Sequence, residues 1–161
     1  MGARSLSDAL HDRLAQMIAR TRFPFEGQSD WPTDYVTIVN ADAKTRAIPG
    51  PNGPHFPDII IVDGNDEVRE VGEVELAADV ACVPIWRAGS AAADDHTDSG
   101  DKHFFVYVPA GQETLAKSIL DDHGISYAGV RGWIANDDGS LEIVPFVTPG
   151  EAKDHKPTRS A

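Results

Sequence analysis

The stretch HFPDIIIVDGNDEVREVGEVEL, residues 55–76, decides how the chain is read. Ile59–Val62 is a β-branched apolar run and Val68–Leu76 alternates, while Gly64-Asn65-Asp66-Glu67 between them has the composition of a turn. The expectation is a hairpin. If its turn centres between Asn65 and Asp66, Asp58 falls opposite Glu73. Glu73 and Glu75 share a face because side chains alternate along a strand. That register gathers three carboxylates, and a slip of one residue would send Asp58 to the other face. Such a trio stays wet, has its pKa values raised, or binds a cation. Hard oxygen donors suit Mg²⁺, Mn²⁺ or Ca²⁺. An ion held there would grip a phosphate oxygen, lower the pKa of a bound water and neutralise charge in phosphodiester cleavage. The plainer alternative is that EVEL is a half-buried strand, with Val74 and Leu76 inward and the glutamates in water. Alternation alone favours that alternative.

Working outward, residues 5–20 carry Leu6, Leu10, Leu14, Met17 and Ile18 at helical spacing. A core-packing helix follows, capped by Ser5 and Asp8, with Asp8 and Asp12 on its solvated side. Residues 34–40 form a strand and 41–57 a long irregular connection. Lys44 and Arg46 in that connection are the nearest thing to a basic cluster beside the hairpin. Residues 77–87 are ambiguous, because Pro84 forbids a long helix through them but can open a short one. Residues 88–102, small and acidic, read as a mobile loop. HFFVYVP (103–109) has the continuous apolar character of a central strand buried on both faces. Residues 113–124 form a helix with Leu115, Ile119 and Leu120 inward and Gly124 as its stop. Residues 125–135 and 141–147 pair as a hairpin across Asn136-Asp137-Asp138-Gly139. The fold class is α/β, a mixed central sheet flanked by helices, in one domain over residues 1–148 with a disordered polar tail at 149–161.

The chain has 161 residues, enough for a real core, and a formal charge of −12. That charge weighs against nucleic acid as a partner, since phosphate contacts need Lys and Arg. Part of the excess lies in loops and tail, and clustered carboxylates would suit a divalent cation. A single cysteine, Cys82, excludes an internal disulfide framework. No apolar run spans a bilayer and no signal-peptide h-region is present, so a membrane partner is not expected and the cytoplasm is the default location. Gly2 could open a myristoylation signal, but Leu6 stands where Ser or Thr is needed. The histidines form no HExxH spacing; His55, three residues before Asp58, could border the acids, but a plain loop histidine is the favoured reading. Cys82 reads as a structural thiol, and Trp86 as packed beneath the sheet. Trp133 and Tyr127 read as the core of the last hairpin and Arg131 as a surface arginine. No P-loop, GxGxxG or GxSxG motif is present.

Pro57-Asp58 followed by Glu73-Val74-Glu75 resembles the signature of the PD-(D/E)XK nuclease superfamily, and the order of elements over residues 5–124 looks like its restriction-endonuclease-like core (αβββαβ), with the last hairpin as an addition. The resemblance implies a metal-dependent nuclease, a hydrolase of phosphodiester bonds using Mg²⁺ or Mn²⁺. Asp58 and Glu73 would be its metal ligands. Glu75 stands where the pattern has lysine, and would serve as base or extra ligand. Lys102, at the mouth of the buried strand, is the candidate replacement for that lysine. Two rival readings stand beside it. One is a nuclease-fold binding or assembly module that has lost catalysis and self-associates, as a homodimer, through residues 125–147. The other is an acidic protein-interaction partner.

Overall fold

The computed structural model describes residues 6–22, 34–41, 43–93 and 102–147. In chain order they form α1 (Leu6–Arg22), β1 (Val36–Val39), β2 (Ile48–Gly50), β3 (Gly53–His55), β4 (Ile59–Val62) and β5 (Val68–Val74). A 3₁₀ turn (Val80–Cys82) leads into α2 (Val83–Ala92), followed by β6 (Phe104–Pro109), α3 (Glu113–Asp122), β7 (Gly129–Ala135) and β8 (Leu141–Val147). One six-stranded sheet runs β1-β4-β5-β6-β7-β8, and β2 and β3 make a separate two-stranded ribbon. β4 runs antiparallel to both its neighbours, β1 and β5; β5-β6-β7 are parallel, and β8 closes the far edge antiparallel to β7. The class is therefore α/β with a mixed sheet, as the sequence indicates. Among the described residues no helix is long and apolar enough to cross a membrane.

The quoted stretch folds in the expected register. Ile59 pairs with Gly72 and Ile60 with Val71, and the ladder shifts by one residue only near the turn, between Ile61 and Val62. Each face of the sheet carries its own core. On one side Ile60, Val71, Phe104, Val106 and Val130 meet Trp86 of α2 and Ile119 and Leu120 of α3. On the other, Ile59, Ile61, Phe105 and Tyr107 meet Leu14 and Ile18 of α1. Leu14 and Ile18 are fully buried, worth about 1.5–3 kcal/mol each, which is what docks α1. β6, parallel-paired on both sides and covered on both faces, needs the unbroken apolar run FFVYVP.

Five expectations are corrected. AGSAA (88–92) is not loop but the second half of α2, opened by Pro84 in its first turn. The small residues serve packing: a Cβ on Gly89 would lie 2.5 Å from Phe104 Cε1. The connection 41–57 contains the β2–β3 ribbon, which turns through Pro51-Asn52 between Gly50 and Gly53. Leu115 is half exposed at 49%, because the buried stripe of α3 runs through Ala116, Ile119 and Leu120. Arg131 is buried at 1%, lying over Gly129 with its guanidinium 5.7 Å from the centre of the Phe105 ring. Leu6, at the exposed start of α1, is also outside the core. Gly124 adopts φ +65, the left-handed stop expected of it. The Ser5 cap, part of the loop assigned to 88–102, and the tail 149–161 lie outside the described residues.

Candidate functional site

The acids meet where β4 and β5 part. Ile59–Gly72 is the last pair of that ladder. One step beyond it, Val74 N–H is taken not by β4 but by the side chain of Asp58, whose Oδ2 accepts at 2.7 Å. Asp58 sits just before β4, and its own carbonyl accepts from Asn40 N–H at 3.0 Å. Its other carboxyl oxygen lies 3.1 Å from Nε2 of His11, brought in by α1. Glu73, on the α2 face of β5, is buried at 3% and in hydrogen-bonding contact with Asp58. Its Oε2 lies 2.8 Å from Nε2 of His55, at the end of β3. The result is a chain of side chains, His11–Asp58–Glu73–His55.

The glutamates are thus not in water. Burial, then the charges of Asp58 and Glu75, push the Glu73 carboxyl well above its usual range. His11 is raised, chiefly by its hydrogen bond to Asp58, whereas His55 is lowered, chiefly by burial. Glu75 is turned toward α2. Trp86 Nε1–H donates to its Oε2 at 2.9 Å and the Cys82 thiol is its second partner. Burial raises Glu75, and burial with Glu75 beside it pushes the Cys82 thiol up to about 12, which disfavours the thiolate. The backbone of Glu75 is pinned at both atoms: its N–H donates to Tyr107 O at 2.8 Å and its carbonyl accepts from Trp133 Nε1 at 2.9 Å.

Asp58 and Glu73 therefore come together as the sequence suggests, with Glu75 close enough to act on both electrostatically but its carboxylate engaged elsewhere. Among the described residues no group of three or more His, Cys, Asp or Glu side chains is set to hold a metal ion. Lys102 is not brought to the acids. It precedes β6 at the opposite end of the sheet, its Nζ donating to Ala91 O at 3.3 Å. Since Glu73 pairs with Val106, Lys102 is four residues, or about 13 Å of strand, out of register with it. The lysine that does come near is Lys44, which with Asp8, His11, Asp12 and Glu75 lines a hollow of about 660 Å³.

Two members of the chain were not assigned by sequence reasoning. His11 has no metal-motif spacing, but it lies three and four residues before Leu14 and Ala15, both fully buried, so it sits beside the docked stripe. His55 is not the plain loop histidine favoured from sequence: it ends β3 and contacts Glu73 directly, through the ribbon that composition hides. Trp86 lies beneath the sheet as read, with its indole N–H directed at Glu75.

No family model matches the chain, nor does any curated protein or solved structure.

Proposed function

We propose that the chain is a divalent-cation-dependent phosphodiesterase of the nuclease type, with Asp58 and Glu73 as its metal carboxylates and Mg²⁺ or Mn²⁺ as the ion. The observation that carries this reading is the Asp58–Glu73 pair, two carboxyls in contact with one of them 3% exposed. Burying like charges together is costly, and a proton or a cation must relieve it. A divalent ion would relieve the same repulsion that raises the Glu73 carboxyl. Its two hard oxygen donors fit Mg²⁺ or Mn²⁺, and water would complete the shell. Bound there, the ion supplies Lewis acidity for hydrolysis, in which water adds to phosphorus as a P–O ester bond breaks. His11, against Asp58 and lining the hollow, is placed to take or return a proton. The order helix, three antiparallel strands, helix, parallel strand supports a restriction-endonuclease-like core, with the β2–β3 ribbon as an insertion and the β7–β8 hairpin as an addition.

The test is calorimetric titration of Mg²⁺ and Mn²⁺ into the wild type, Asp58→Asn and Glu73→Gln, together with cleavage of single- and double-stranded oligonucleotides. Metal binding and cleavage that both vanish in the variants support the reading. A wild type that neither binds metal nor cleaves defeats it.

A second reading is favoured by one observation. Glu75, at the place of the pattern's lysine, holds Trp86 and Cys82, a structural use of a catalytic position. On this reading the chain is a nuclease-fold module without chemistry, assembling through residues 125–147 or offering its acidic surface to a basic protein. Light scattering that finds a monomer, with cleavage present, removes it.

A further inference from the structure

Lys44 is the permanent cation among the described residues lining the hollow, and it pairs with none of the carboxylates there. Its Nζ donates to Asn40 O at 3.2 Å, and among the described residues it forms no salt bridge. An ammonium has three N–H donors, so two remain for a guest.

The position of Lys44 is built. Asn40 is 1% exposed, and its amide is fully used. Nδ2 donates to Pro57 O at 2.6 Å and to Arg46 O at 3.0 Å. Oδ1 accepts from Thr45 N at 2.9 Å and Arg46 N at 3.1 Å. One buried side chain thus ties the loop on both sides of Lys44 to the peptide directly before Asp58. Ala43, Lys44 and Thr45 are all exposed, while the clamp also holds the chain that leads into buried Ile48 and, through Pro57, into β4. It thereby also fixes the backbone from which Lys44 reaches into the hollow near Asp58. A loop held this firmly around an exposed, unpaired lysine, beside Asp8, Asp12 and Glu75, is arranged for an anion that the acids alone would repel.

We propose that Lys44 binds a phosphate oxygen of the ligand that enters the hollow, and that Asn40 is the residue that positions it. The proposal rests on the phosphodiesterase reading for the identity of the anion, though not for the presence of an anion site.

The experiment uses inorganic phosphate, titrated with Mg²⁺ present and followed by ¹H–¹⁵N NMR, alongside hydrolysis of bis(4-nitrophenyl) phosphate. Lys44→Met, at an exposed position, is expected to raise the phosphate Kd roughly 10-fold and to lower hydrolysis by roughly 10- to 100-fold. Mg²⁺ affinity should stay unchanged, and Lys44→Arg should recover phosphate binding to within about 3-fold. Asn40→Ala should weaken phosphate without weakening Mg²⁺. If it fails to fold, Thr45→Pro, which removes one donor to Asn40 from an exposed residue, should act in the same direction. Phosphate binding that is absent from the wild type, or equal in wild type and Lys44→Met, overturns the inference. A wild type that binds phosphate through Lys44 but hydrolyses nothing sinks the phosphodiesterase reading and leaves the anion site standing.

Discussion

Glu73 is the residue on which the pH behaviour of the fold turns. Its folded pKa lies well above the ordinary 4.5, so above that pH the native state holds a proton that the unfolded chain has released. Stability then falls as pH rises from 4.5 through the folded pKa. Glu73→Gln should flatten this fall and raise the neutral-pH Tm, by about 2–4 °C for each kcal/mol relieved, in melts from pH 4 to 8. A variant that steepens the fall would contradict the buried, protonated state. His11, raised above 6.5, contributes stability that is present below 6.5 and lost as pH rises through its folded pKa; His55, lowered, contributes with the opposite sign. Asn40→Ala leaves the N–H groups of Thr45 and Arg46 and the Pro57 carbonyl without their partner and should cost about 1–3 kcal/mol in urea unfolding. At this scale the sequence was half legible. Strand alternation places Asp58 opposite Glu73 correctly, but alternation cannot say which face a helix will cover. Val74 and Glu73 are both buried because α1 and α2 close opposite sides of the same strand. Arg131 fails for a related reason: a charged residue on a strand signals solvent until a neighbouring glycine makes room for it to lie flat.

Among the elements, the two most misleading are α2 and the β2–β3 ribbon. Both look like loops because their composition is governed by close approach. Gly89 lets α2 settle onto Phe104 and Val71, and Gly89→Ala should cost about 1–3 kcal/mol of overpacking, read as a lowered urea midpoint at unchanged slope. The ribbon is too short for periodicity to reveal, yet it delivers His55 to Glu73. β6, α3 and the β7–β8 hairpin were legible because each satisfies one strong rule: unbroken apolar character, a left-handed glycine stop, and a polar turn between paired strands. α1 was legible as a core helix, but its second role, carrying His11 to Asp58, is invisible without knowing where β4 begins.

For the whole molecule, a formal charge of −12 sets two expectations. Self-repulsion should make the fold less stable at low ionic strength, so Tm should rise as NaCl goes from 10 to ~150 mM, over which the screening length falls severalfold. Mg²⁺ should add a further increment beyond that of NaCl at equal ionic strength, about 2.7 kcal/mol at a concentration 100 times its Kd, and Asp58→Asn should abolish it. A chelator-insensitive Tm would speak against a resident ion. The topology carries one more consequence. His11, Lys44, Asp58, Glu73 and Glu75 all belong to the first half of the chain, yet Glu75 is pinned by Tyr107 and by Trp133, the latter 58 residues downstream. During synthesis on the ribosome Glu75 emerges early and must wait for the indole that holds its backbone. A product of translation interrupted before residue 133 would contain all five of these groups and lack the contact that holds the Glu75 carbonyl.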